Sequence, residues 1–200
     1  MIDVSDIKKY YQNTEKALPH ENVKEFLKIE NKRGKAIDIG CGAGRDTIFL
    51  IKNNWNVLAI DREDTKDIIS NILNEEELRR FRFIKQDFEN IELEQNDLVI
   101  ANFSIPFCNK KDFNELWNRI VESISEDGYF VGNFFGLKDS WVNIKEKLVF
   151  LSKEQVLKLF EESFEIIKFQ EIEKDAKTAL GKVKHWHIYD VIAKKRGRNK

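Results

Sequence analysis

A seven-residue run, Asp38-Ile39-Gly40-Cys41-Gly42-Ala43-Gly44, restricts what this chain can become more than any other feature. It follows a short apolar stretch at 36–39 and opens a segment with helical spacing at about 46–51. Glycines there let the backbone turn sharply and come close to a ligand. Such a loop is informative only between a strand and a helix, and here both flanks are present. The same alternation continues downstream. Strands are expected at 56–61, 82–86, 97–101 and 129–135. Helical patterns fall at 64–80, at 152–160 with Ser152 and Gln155 as a capping box, and on the stripe Phe113, Leu116, Trp117, Ile120, Val121 and Ile124. Segments 164–173 and 186–194 read as strands too close together for a crossover helix, so they pair antiparallel. Ahead of the loop, a short helix capped by Ser5 and a second one opened by Pro19 are expected.

The length of 200 residues predicts one domain, 1–200, with 1–30 as an N-terminal helical cap. The net charge of −1 gives no general reason to expect nucleic acid as partner. A basic run at Lys194, Lys195, Arg196, Arg198 and Lys200 reads as a solvated end. No stretch suits a membrane span, and no leader pattern opens the chain. The two cysteines, Cys41 and Cys108, form no metal-ligand spacing. Cytoplasmic location and no metal are therefore expected.

Asp61 ends the second strand, where a carboxylate can accept bonds from both hydroxyls of a ribose. A dinucleotide fingerprint fails in both registers, because Arg45 or Thr47 stands where the third glycine belongs. No phosphate-binding GxxxxGK[ST] loop occurs.

Residues 36–47 resemble motif I of the class I S-adenosylmethionine-dependent methyltransferases. The resemblance runs on through Val57-Leu58-Ala59-Ile60-Asp61, Gln86-Asp87-Phe88 and the stretch 96–108 to the ending 178–187. It is similar to a bacterial small-molecule subgroup related to tellurite-resistance methyltransferases. The resemblance implies an α/β, Rossmann-like three-layer sandwich, with a mostly parallel seven-stranded sheet ending in an antiparallel hairpin. It implies S-adenosyl-L-methionine as cofactor. Gly40, Gly42 and Gly44 would line its methionine portion, and Asp38 would orient the loop or the amino group. Asp61, with Arg62 beside it, would hold the ribose. Asp87 and Phe88 would meet the adenine, and Asn102 and Phe103 would flank the reacting centre.

Asn102-Phe103-Ser104-Ile105 departs from the Asn/Asp-Pro-Pro-aromatic pattern of enzymes that methylate base amines. A small molecule or an oxyanion, such as a tellurium species, is the expected acceptor. Protein or nucleic-acid targets, a nicotinamide oxidoreductase and a non-catalytic cofactor-binding protein are the competing readings. Oligomeric state is not legible. His185 and His187 alternate around Trp186, and an antiparallel last strand brings them near the carboxyl ends of the parallel strands. His185 is the expected general base, with packed histidines as the alternative. Tyr11, His20, Phe107, Trp141 and His187 are the expected substrate contacts. The segment carrying Tyr10, Tyr11 and His20 reads as a lid or as a plain packing helix.

Overall fold

Residues 36–39 and 98–101 are buried on both faces, as strands between two helical layers must be. The computed structural model describes residues 4–88 and 91–197. In chain order the elements are α1 (Val4–Thr14), α2 (Glu21–Ile29), β1 (Lys35–Ile39), α3 (Arg45–Lys52), β2 (Asn56–Asp61), α4 (Lys66–Ser70), α5 (Glu75–Leu78) and β3 (Phe81–Lys85). They continue with β4 (Asn96–Ala101), α6 (Phe113–Ser123), β5 (Ile124–Gly136), β6 (Phe150–Leu151), α7 (Lys153–Glu161), β7 (Phe164–Lys177) and β8 (Val183–Lys195). The sheet order is β3-β2-β1-β4-β5-β8-β7, parallel from β3 through β5 and antiparallel for β5–β8 and β8–β7. The expected seven strands and closing hairpin are all present. The two-residue β6 adds an eighth strand beside β5, and it is too short to leave a pattern in the sequence.

Successive strand residues serve opposite layers. Ile37, Ile39, Val99, Phe130 and Phe134 pack with Leu116, Trp117 and Ile120 of α6 and Val156 and Phe160 of α7. Ala36, Val57, Leu98, Ile100 and Val131 pack with Val23 and Phe26 of α2 and Leu50 and Ile51 of α3. A third cluster, with Phe135 and Ile188 at its base, sits at the carboxyl end of the sheet. Both layers thus end beneath the loops that follow β1, β2 and β4.

Two expectations need correction. The region 64–80 forms two short helices, because Asn74 starts a new one. Its side chain accepts from the Glu77 N–H, and the Glu77 carboxylate accepts from the Asn74 N–H. Ser5 lies inside α1, which has already begun at Val4. The capping box at Ser152 and Gln155 forms as read. The described part of the basic run is paired as well, with Arg196 exposed. Lys195 donates to the Val121 and Ile124 carbonyls at 2.6 Å each, Lys194 pairs with Asp127 at 2.8 Å, and Arg196 donates to the Glu161 carbonyl. Arg198 and Lys200 lie outside the described residues.

Phe160 is fully buried and touches the rings of Trp117, Phe130, Phe134 and Phe164. Phe160→Ala should destabilise the fold by about 3–5 kcal/mol. Urea denaturation should show this as a lower midpoint at an unchanged slope.

Candidate functional site

The loop after β1 is built from three left-handed glycines, with φ of 70° at Gly40, 57° at Gly42 and 81° at Gly44. The loop is pinned to β2, since the Gly40 and Cys41 N–H groups both donate to the Ile60 carbonyl. At Gly44 a Cβ would stand 2.4 Å from the Ile69 side chain, so α3 can start here only from a glycine. At Gly42 a Cβ would meet the ring edges of Tyr10 and Tyr11 at 3.8–3.9 Å, so the N-terminal helix packs over this face of the loop. The Gly42 N–H donates to Asp61 at 2.8 Å. The other oxygen of Asp61 accepts from the Glu63 N–H at 3.0 Å and faces the Tyr11 hydroxyl at 3.4 Å. The Tyr11 contact is long and therefore weak. Burial, then the charge of Asp61, pushes the Tyr11 hydroxyl up, so it stays a donor. Burial likewise pushes the Cys41 thiol up, which makes it a filler of the loop and not a nucleophile.

Behind the loop lies a chain of buried polar groups. Thr47 donates to Asp38 at 2.6 Å. Burial and the neighbouring charge of Asp46 push the Asp38 carboxyl up to about 7. Asp46 accepts from the His20 N–H at 2.8 Å, from His20 Nδ1 at 2.6 Å and from Asn102 Nδ2 at 2.9 Å. Burial works against its charge, but His20 and Asn102 outweigh that and hold its carboxyl below the usual range. Asn102 in turn bonds Asn22 and accepts from Asn133, and Asn133 accepts from the Phe103 N–H. Phe103 is thereby held at φ 49°, a conformation that a bulky residue seldom adopts. Its ring stacks on His20, with centroids 5.2 Å apart. Tyr10, His20, Gly40, Gly42, Arg45 and Phe103 are among the residues that line the resulting cleft.

Phe103 is also one wall of an aromatic bowl. Fully buried Phe135 forms its floor, and Phe103, Phe107, Trp141 and Trp186 surround it with ring centroids 5.7–6.2 Å from the floor. Lys184 lies beneath, its ammonium 3.7 Å from the Trp141 ring and 3.8 Å from that of Trp186, and it is paired with buried Asp139. Burial lowers the Lys184 pKa against the pull of Asp139.

The structure thus gathers Asp38, Gly40, Gly42, Asn102, Phe103 and His20 around one cleft, with Asp61 and Tyr11 joined to it through the Gly42 N–H and Phe107 and Trp141 in the adjoining bowl. The ring edge of Phe88 faces Gly40. Asp87 and Arg62 are exposed near the same strand ends.

The two C-terminal histidines sit elsewhere. Trp186 faces Phe103, so His185 and His187 project from the opposite face of β8, across from Asp175 and Glu173. The His185 ring is half exposed, and its bond to Asp175 raises its pKa, which favours the charged form that has no lone pair to give. The geometry therefore takes the base assignment off His185. His187 is buried against Gly136, accepting from the Lys138 N–H at Nδ1 and meeting Glu171 at Nε2, so the packed alternative describes it. Sequence reasoning missed Arg45 and Asp46 as parts of the site, whereas Lys184 and Trp186 were legible beside the two histidines. Arg45 had registered only as an obstacle to a dinucleotide motif, although a cation in the first turn after a glycine loop is itself a signal for an anionic ligand.

Comparison with known proteins agrees with this architecture. A family model described as "Tellurite resistance protein TehB" matches residues 4–181. TehB of Haemophilus influenzae has the same fold, with a TM-score of 0.76 at 17% identity over 94% of this chain and 67% of that one. A Burkholderia thailandensis 1,6-didemethyltoxoflavin-N1-methyltransferase, solved with its substrate and S-adenosylhomocysteine, gives 0.72 at 17% identity over 96% of this chain and 87% of that one. The probable S-adenosylmethionine-dependent methyltransferase CRG1 of Saccharomyces cerevisiae is 28% identical over 145 residues, 70% of this chain and 48% of that protein. A carboxy-S-adenosyl-L-methionine synthase of Campylobacter concisus is 25% identical over 147 residues, 70% of this chain and 57% of that one. The chain thus matches only about half the length of these curated relatives. Among the described residues, no helix is long and apolar enough to cross a membrane, and no cluster of His, Cys, Asp or Glu is arranged to hold a metal ion.

A carboxyl raised on folding stabilises the fold while it is protonated. That contribution is present below the ordinary carboxylate range and disappears as the pH rises through the folded-state value, here about 7. Asp38→Asn has no proton to lose. Its stability relative to wild type should therefore grow between about pH 4 and about pH 7 in urea melts and level off above that. A difference that stays constant across that range would contradict the assignment.

Proposed function

This chain belongs to the TehB family, and from that premise we propose that it transfers a methyl group from S-adenosylmethionine to a small-molecule acceptor. One observation carries the reading: a glycine cleft, its loop bonded to a ribose-type carboxylate, lies beside a cluster of aromatic rings, and Phe103 belongs to both. When bound, the cofactor supplies an electrophilic methyl group on a positively charged sulfur. The residues present fit it. Gly42 lines the cleft with no side chain to fill it, and Asp61 keeps acceptor capacity for ribose hydroxyls, the long Tyr11 contact being easily exchanged. Beside Gly40 the buried Ser104 hydroxyl has no partner among the described residues, and a bound ligand would supply one.

The chain's own contribution is alignment. Holding two reactants at near-attack distance can supply roughly 7–11 kcal/mol. Asn102 and Phe103, fixed by Asp46 and Asn133, set the wall beside which the methyl group and acceptor would meet. Phe107, Trp141 and Trp186 offer apolar ring faces to the acceptor. The Burkholderia neighbour, solved with 1,6-didemethyltoxoflavin bound, is consistent with a small-molecule acceptor.

Isothermal titration with S-adenosylhomocysteine tests the reading. Wild type should bind at micromolar or tighter affinity, and Asp61→Ala should bind at least about tenfold more weakly, a loss of about 1.4 kcal/mol. A well-folded wild type that takes up no ligand would remove the methyl-transfer reading.

A further inference from the structure

We infer that His20 takes the proton of the methyl acceptor, and that the acceptor is a flat organic molecule bearing a protonated ring nitrogen or hydroxyl. This rests on the methyl-transfer reading above.

Three histidines occur in the chain, and only His20 borders the cleft. It stands at the N-terminus of α2, and one buried carboxylate grips it twice. Asp46 accepts from its backbone N–H at 2.8 Å and meets Nδ1 at 2.6 Å. Its Nε2 contacts the Arg45 guanidinium. These two neighbours settle the tautomer. A carboxylate can only accept, so Nδ1 carries the hydrogen; a guanidinium can only donate, so Nε2 presents a lone pair. In its neutral form the ring thus carries its basic nitrogen on the side away from its carboxylate. This is the arrangement of a histidine that receives a proton and is then stabilised as imidazolium.

Placement supports the same role. The His20 ring stacks on Phe103, and Phe103 touches Trp186 at 5.6 Å, so the imidazole lies on the rim shared by cleft and bowl. The charged groups around it are Asp46 and Arg45 from α3, Asp38 from β1 behind Asp46, and Asp190 from β8. Arg45 also lines the glycine cleft, where the cofactor's methionine end would present a carboxylate. A guanidinium prefers that partner to a neutral imidazole, and the exchange frees Nε2.

In the step itself, the acceptor's nitrogen or oxygen forms a bond to the methyl carbon as the carbon–sulfur bond breaks, its electron pair going to sulfur. The acceptor's proton passes to His20 Nε2, and the positive charge that leaves sulfur ends on an imidazolium held by Asp46. Such a base is idle for an oxyanion like tellurite, which arrives with electron pairs already free. A ring-shaped N–H or O–H compound needs the base, and the walls of the bowl suit a ring.

Nitrogen-15 NMR of the histidine rings tests this before any acceptor is known. His20→Gln identifies the His20 signals by deleting one set of three. In wild type at mildly alkaline pH, His20 should be the neutral Nδ1–H tautomer, and saturation with S-adenosylhomocysteine should shift Nε2 as Arg45 leaves. Asp46→Asn, whose amide can donate, should flip the tautomer in the free protein. An Nε2–H tautomer, or an imidazolium, in the wild-type complex would overturn the proposal. So would an Nε2 signal that saturation leaves unchanged. If S-adenosylhomocysteine fails to bind at all, the methyl-transfer reading falls, while the tautomer of the free protein is still read independently. In turnover, with catechol, 8-hydroxyquinoline and benzimidazole as probes, His20→Gln should lower kcat by roughly 10²–10⁴-fold and leave the KM for S-adenosylmethionine unchanged. Methylation of tellurite alone, at equal rates in wild type and variant, would also overturn it.

Discussion

The carboxylate of Asp46 ties together the chain segments that make the site. It accepts from the start of α2 through His20 and from the end of β4 through Asn102, while its own backbone sits in the first turn of α3. Without it, the buried Asn102 and the His20 backbone would lose their acceptor, at about 1–3 kcal/mol for each group left unpaired. The asparagines then extend the tie. Asn102 meets Asn22 on one side and Asn133 on the other, and Asn133 takes the N–H of Phe103. The strained φ of Phe103 persists because its neighbours over-determine it. Cleft and bowl are therefore held in fixed relation by one polar network, not by loop conformation alone.

Charge around that network is arranged with economy. Asp38 and Asp46 lie close enough that one disfavours ionisation of the other, and Asp38 is the one that yields. Asp46 keeps its charge because His20 and Asn102 donate to it. Asp38 has only Thr47 as a named donor besides the pull of its surroundings. A cationic ligand arriving at the loop would reverse that balance, since an opposite charge nearby favours the ionised form. The amino group of a methionine moiety is such a cation, so ligand binding and the ionisation of Asp38 are coupled through the same few ångströms of buried space.

What the sequence disclosed is what local chemistry decides. The limits of β2, the glycine turn and the capping box at Ser152 depend on neighbours a few residues away, and each was legible. The parallel sheet with its hairpin also followed, because segment lengths left no room for a last crossover. Asp46 was not legible as a centre, since its partners lie 26 and 56 residues away and nothing local distinguishes it from an ordinary first-turn acid. The aromatic bowl was half visible: Phe107 and Trp141 stood out, but Trp186 joins them only through the β5–β8 register that sets Phe135 opposite Ile188.

The histidines show where such reading stops. Period-two alternation correctly put His185 and His187 on one face and Trp186 on the other, and the antiparallel strand correctly brought all three to the carboxyl end of the sheet. Which face looks onto the glycine cleft is a separate question, answered by tertiary packing. The bulky Trp186 fills the bowl beside Phe103, and that choice turns both histidines toward the acidic row of β7. A register or face decision of this kind is binary, and every side chain on the strand follows it. His20, which sits ahead of the sheet and is positioned by α2 and α3, escapes that constraint. It reaches the cleft because the N-terminal segment folds back over the loop, with Tyr11 against Asp61 and Asn13 donating to the Ala179 carbonyl in the turn that joins β7 to β8. The imidazole is thus brought to the site by the same fold-back that covers the cleft, and the parallel core alone would present the glycine loop with no histidine beside it.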